Sequence, residues 1–345
     1  MADSSNDPAR PAKIFAVAKQ PEVFRGAQSV TGLRWLSKHN ALIGAAMDRR
    51  VIHCDLTATA PPADAAKDKG QANLPPSIAA TFLSWSHENW ICHLDVHPQG
   101  DRIATAGADR HVRLWRWGED QPLAVLKGHK DWVRAVAFSP DGQRLASAGD
   151  DGLIHVWDTD RASLLAVLDS DTNFLETVCW TPDGKHLAAA GLEAKIFVWD
   201  VEKQEMARPI ETVSLRTIED EVLNGGFSYP GGIRRLACSP SGHHIAAAGL
   251  YALTVVETDS GQESFKFSHA RNTKVRYFGV AFHPSGQAIA YSQDDVLAVW
   301  DLTMKKVTWQ TKVDQLGVFD ICFLDGGKQI AVGGSKGWIG VWDLA

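Results

Sequence analysis

No run of this sequence approaches the roughly 20 apolar residues that a membrane-spanning helix needs. Its opening, MADSSNDPARPAK, has no apolar core of a secretory signal. Neither membrane insertion nor secretion is expected. Basic charge is also short: 35 Lys and Arg stand against 41 Asp and Glu, a formal net charge of −6. General nucleic-acid binding needs a basic face, so it is not expected either. Cysteine is scarce. The five residues Cys54, Cys92, Cys179, Cys238 and Cys322 form no C-x-x-C pair and all fall in expected strands. We read them as buried free thiols in a reducing cytoplasm.

Catalytic motifs are missing too. No glycine-rich phosphate cradle opens a helix, and there is no Gly-x-Ser-x-Gly elbow. Thirteen histidines invite a metal site, but their spacing does not support one. Cys92 and His93 should point to opposite faces of a strand, His97 lies further along before Pro98, and His243-His244 falls in a turn. No cofactor, metal or catalytic residue is expected.

What is present is organised around residues 127–158, KGHKDWVRAVAFSPDGQRLASAGDDGLIHVWD. Three short apolar runs there end in turn signals, Pro140-Asp141-Gly142 and Gly149-Asp150-Asp151-Gly152 among them. The third run is rich in β-branched and aromatic residues, as strands prefer. A fourth run, 164–168, completes a four-stranded meander. Alone it would leave raw edges and bare faces, so it needs neighbours. Those neighbours recur at a spacing of 42: His129, Ser147, Asp151 and Trp157 become His87, Thr105, Asp109 and Trp115 going back, and Trp157 becomes Trp199 going forward. A period near forty, with Gly-His ahead and Trp-Asp at the end, resembles the WD-repeat β-propeller family.

The resemblance implies an all-β, seven-bladed propeller of four-stranded antiparallel blades over residues 13–345, behind a disordered tail at 1–12. Blades 2 and 3 carry it most strongly. Blade 1 has Cys54 at the tryptophan position, and in blade 5 Glu257 and Thr258 replace Trp-Asp. Blade 7 lacks an outer strand, while residues 14–18 form a spare strand ahead of blade 1. Pairing the two closes the ring. Two segments break the period, near 57–77 and 212–231. The first is polar and Pro/Ala-rich, between the third and fourth strands of blade 1. The second contains a candidate short helix after Thr217, between blades 4 and 5. Each is open to two readings, a docking element or loop decoration.

The sets His87, Thr105, Asp109, Trp115 and His129, Ser147, Asp151, Trp157 contain the parts of a hydrolase triad. The family implies a structural role instead: a buried chain within one blade from tryptophan to hydroxyl to histidine to aspartate. Function is then expected at the surface. Trp90, Trp132 and Phe174 hold one slot in successive blades, three residues after the histidine position, at what the family makes the top-face rim. With Arg134, Glu176, Arg234 and Arg276 beside them they form a candidate partner-binding site, since Trp and Arg are favoured anchors. The expected protein is a non-catalytic scaffold or adaptor, a monomer on its own, that binds other proteins or peptides but no nucleic acid or membrane. The alternative is a propeller enzyme, or a small-molecule or metal sensor, that uses the central channel.

Overall fold

The computed structural model describes residues 13–15, 29–56, 80–193, 195–211, 232–249, 252–268, 276–313 and 317–344. They form 28 strands arranged in seven four-stranded antiparallel sheets. β1 (Lys13–Phe15) stands apart from its sequence neighbours. Blade 1 is β2 (Val30–Leu36), β3 (Ala41–Ala46), β4 (Arg50–Asp55) and β5 (Ala80–Ser86). Blade 2 is β6 (Ile91–Val96), β7 (Arg102–Gly107), β8 (His111–Arg116) and β9 (Ala124–Lys127). Blade 3 is β10 (Val133–Phe138), β11 (Arg144–Gly149), β12 (Leu153–Asp158) and β13 (Ser163–Asp169). Blade 4 is β14 (Leu175–Trp180), β15 (His186–Gly191), β16 (Lys195–Asp200) and β17 (Glu205–Glu211). Blade 5 is β18 (Ile233–Cys238), β19 (His244–Gly249), β20 (Ala252–Glu257) and β21 (Glu263–Ser268). Blade 6 is β22 (Tyr277–Phe282), β23 (Ala288–Gln293), β24 (Val296–Asp301) and β25 (Lys306–Lys312). Blade 7 is β26 (Val318–Leu324), β27 (Gln329–Gly334), β28 (Ile339–Asp343) and, on its outer edge, β1.

The first strand of each blade packs on the first strands of its two neighbours, and β2 touches both β6 and β26, so the ring is closed. Closure is completed by strands from opposite ends of the sequence: Lys13 pairs with Val341, Ile14 with Gly340 and Phe15 with Ile339. The spare strand therefore occupies the vacant edge, one residue earlier than its expected start, and its expected remainder, 16–18, lies outside the described residues. Residues 1–12, 57–79 and 212–231 lie outside them too.

Local chemistry explains the repeated hairpins. In blade 3 the turn after β10 places Gly142 at φ +73°, where a side chain would be strained. Ser139 Oγ donates to Asp141 and accepts the Arg144 N–H at 2.9 Å. Thr181 and Asp183 repeat the device in blade 4. The second strands are alanine-rich, with Ala104, Ala106, Ala146, Ala148, Ala188, Ala190, Ala246 and Ala248 fully buried. These small residues let adjacent blades approach, and the larger Val, Ile and Leu of flanking strands fill the wedge between them. Turns joining second to third strands, and outer strands to the next blade, share one end of the ring, the top face; the other turns share the bottom.

Candidate functional site: the top face of blades 2 to 5

Two hydrogen-bond chains anchor the top of blades 2 and 3. The Trp115 indole N–H donates to Thr105 Oγ1 at 2.9 Å, Thr105 meets His87 Nε2 at 2.7 Å, and His87 Nδ1 meets Asp109 at 3.0 Å. In blade 3, Trp157 donates to Ser147 Oγ at 2.9 Å, Ser147 meets His129 Nε2 at 2.8 Å, and His129 Nδ1 lies 3.0 Å from both Asp151 oxygens. Both hydroxyls are fully buried, so each chain is a set of mutually satisfied polar groups inside a sheet. Burial alone would raise the Asp109 and Asp151 carboxyls, but their histidine partners outweigh it and hold both below the ordinary carboxylate value.

These aspartates also position the surface. The other oxygen of Asp109 accepts the Glu88 N–H at 3.0 Å, and Asp151 accepts the Lys130 N–H at 2.9 Å. The Trp90 and Trp132 carbonyls accept N–H groups of Ala108 and Asp150 at 2.8 and 2.9 Å. Asn89 and Asp131 side chains take the tryptophans' own N–H groups at 2.8 Å. Each tryptophan thus sits on a loop pinned from both sides. Their rings meet edge to face, 5.7 Å between centroids, with Trp90 still 43% exposed. The Arg134 guanidinium lies 4.7 Å over the Trp132 ring and forms two hydrogen bonds of 2.6 Å to Asp150. Glu176 in blade 4 acts on the Arg134 charge and pairs with Arg234 of blade 5 at 3.5 Å.

Five of the seven expected contact residues, Trp90, Trp132, Arg134, Glu176 and Arg234, therefore form one line across blades 2 to 5. Asp150, which the sequence did not single out, ties Arg134 into it. Phe174 is half-buried and makes no ring contact with Trp132; Arg276 is exposed on blade 6, outside the line.

Residues 80–116, 120–158 and 162–200 match the WD domain, G-beta repeat family. Together with the seven-bladed ring, this decides the family. The chain is a WD-repeat propeller. No curated protein matches it.

In this WD-repeat propeller the two hydrogen-bond chains are not general. The slot of Thr105 and Ser147 is Tyr291 in blade 6 and Val332 in blade 7, and there the buried indole nitrogens of Trp300 and Trp342 have no partner. A second departure lies on β12. Arg113 of blade 2 reaches Asp109 at 2.6 Å, but the matching residue in blade 3 is His155. His155 stacks on His129 at 4.0 Å, and its buried Nδ1 is unpartnered.

The propeller's channel holds a cluster that sequence reasoning missed. Arg34 of β2 bonds Asp95 of β6 at 2.9 Å, Asp320 of β26 at 2.7 Å and His93 Nε2 at 3.0 Å. Asp320 also accepts the Leu33 N–H at 2.8 Å and lies 3.6 Å from Arg235 Nε of β18. Arg235 in turn donates to the Thr31 carbonyl. Blades 5 and 1 are not neighbours, so a contact between their innermost strands crosses the channel. Burial pushes the Asp320 carboxyl up, but Arg34 and Arg235 outweigh it and hold it below its ordinary value. Burial and Arg34 keep His93 neutral, well below the usual imidazole value. The signal was available in register: Arg34 and Asp95 occupy the slot that Ala137, Ala237 and Ala281 fill elsewhere.

Among the described residues no group of three or more His, Cys, Asp or Glu is arranged to hold a metal ion. One expectation about cysteine needs correction. All five are free thiols, but only Cys54 and Cys322 are buried; Cys92, Cys179 and Cys238 are half-buried, and the sulfurs of the last two lie 2.8 Å apart.

Proposed function

We propose that this WD-repeat propeller is a non-catalytic scaffold that seats a protein or peptide partner on the top face of blades 2 to 5. Propellers of this family are in general protein-interaction scaffolds, which supplies the class; the site is argued from its own geometry. The observation that carries it is the Trp90–Trp132 pair, exposed at one edge, backed by Arg134 and held on loops already fixed by backbone hydrogen bonds. A partner that packs an apolar side chain against fixed indoles forgoes little conformational entropy of the receptor. Arg134, Glu176 and Arg234 supply charges for its polar flank, and Phe174 and Arg276 extend the surface toward blades 4 and 6. The reading includes a cytoplasmic setting and a chain that is monomeric until it meets its partner.

The alternative is use of the central channel by a substrate, small molecule or metal. The Arg34, Asp95, Asp320 and Arg235 network bridges that channel with paired charges, and a ligand would have to displace it. This favours the top face. The test is affinity purification of the tagged protein from its own cell with mass spectrometry, alongside the double variant Trp90→Ala and Trp132→Ala. A protein captured by the wild type and lost from the folded variant supports the proposal. An identical captured set, or a small molecule retained in place of a protein, overturns it.

A further inference from the structure

Cys179 lies on β14 and Cys238 on β18, the innermost strands of blades 4 and 5, 59 residues apart in sequence. Their sulfurs are 2.8 Å apart, inside van der Waals contact, so one thiol donates to the other. Both side chains are half-buried, and they rest against the interblade cluster that includes Ala188, Leu236 and Ile245. The register makes the pairing specific to this interface. The slot of Cys238 is aromatic in five other blades, Trp35, Phe138, Trp180, Phe282 and Phe323, and Val96 in the sixth. The slot of Cys179 is alanine in blades 3, 5 and 6. Only between blades 4 and 5 does a thiol replace the aromatic ring opposite another thiol.

We propose that Cys179 and Cys238 form an oxidisable dithiol, a modification site that reacts with a low-molecular-weight disulfide to staple blade 4 to blade 5. Cys179 loses its proton and its thiolate attacks one sulfur of the small disulfide, releasing one equivalent of thiol and leaving a mixed disulfide. Cys238 then loses its proton and attacks the Cys179 sulfur, and the second small thiol departs. Two protein thiols and one disulfide become one protein disulfide and two small thiols; the protein sulfurs lose two electrons and the small disulfide gains them. The hydrogen bond to Cys179, then burial, holds the Cys238 thiol well above its ordinary pKa while both are reduced. Capping Cys179 removes that thiol partner, which suits Cys238 to the second step. Cys54 and Cys322, buried and pushed up to about 12 chiefly by burial, stay reduced.

The test is incubation of the folded full chain with oxidised glutathione at mildly alkaline pH, followed by denaturation, iodoacetamide alkylation and mass spectrometry. Of the five thiols, two should escape alkylation, with the protein lighter by two hydrogens and one linked peptide pair containing Cys179 and Cys238. Cys238→Ala should instead accumulate a single glutathione adduct on Cys179. Wild-type protein that keeps all five thiols alkylatable, or that links a different pair, overturns the proposal; because this measurement needs no variant, a folding defect in Cys238→Ala cannot obscure it.

Discussion

Replacing Asp320 by alanine should destabilise the ring by about 3 kcal/mol, the lower end of what breaking a buried ion pair costs. The figure follows from what the carboxylate does. It is 3% exposed and accepts the Leu33 N–H at 2.8 Å and Arg34 Nη1 at 2.7 Å, with Arg235 Nε at 3.6 Å. Removal strands a buried backbone donor and leaves Arg235 facing Arg34 across the channel. Arg34 retains Asp95, which keeps the loss below the top of that range. Asp320→Asn keeps an acceptor for Leu33 but not the charge, and should cost about 2 kcal/mol. A double-mutant cycle with Arg235→Leu should return a coupling of about 1–3 kcal/mol. The assay is urea unfolding followed by tryptophan fluorescence. Because the folded Asp320 carboxyl lies below its ordinary value, its contribution is present above the usual carboxylate range and is lost as pH falls through the folded value. An Asp320→Ala cost under about 1 kcal/mol, that of a surface pair, would refute the channel bridge.

Acid should weaken the fold. Burial, and for His155 also the His129 charge, lowers His87, His93 and His155 from 6.5, His155 to about 4. The unfolded chain therefore binds more protons in this window, so melting temperature should hold above about pH 6.5 and decline toward pH 4; a constant or rising value contradicts it. His155→Arg, which copies Arg113 in blade 2, should reach Asp151 and reduce that decline, as melting at pH 5 would show. Val332→Thr should give the orphaned Trp342 indole N–H an acceptor and raise stability by about 0.5–1.5 kcal/mol in urea unfolding. Deleting residues 1–15 should bare the β28 edge and lower the melting temperature by several degrees, while deleting 1–11 should leave it unchanged.

The fold was legible because blades 2 and 3 repeat the same local chemistry in full and the other blades keep its strand and turn rhythm. Turn residues such as Pro140-Asp141-Gly142, and His, hydroxyl, Asp and Trp at one spacing, mark strands and their order without reference to the rest of the chain. Closure was legible as a surplus strand and a vacant edge. Contacts between blades were much less so. Arg34 and Asp320 are 286 residues apart, and Cys179 and Cys238 are 59 apart. Neither pair is separated by the repeat, so periodicity could not match them; Arg34 shows only as a charged residue in a slot that blades 3, 5 and 6 fill with alanine, and Cys238 only as a thiol where five sister blades carry an aromatic ring. Trp90 and Trp132 could be placed on one rim by spacing, but Asp150 as the partner of Arg134 depends on side-chain direction at the turn after β11.

The top-face site is tested most directly by calorimetric affinity of the captured partner for the wild type and for the Trp90→Ala and Trp132→Ala double variant, each checked for an unchanged melting temperature. Truncating an anchor tryptophan removes about 2 kcal/mol or more of binding, and about 1.4 kcal/mol is a factor of ten. The dissociation constant should therefore rise at least tenfold, while deletion of residues 59–76, whose flanking strand ends lie at the bottom face, should leave it unchanged. A double variant that melts like the wild type and binds with wild-type affinity would contradict the assignment.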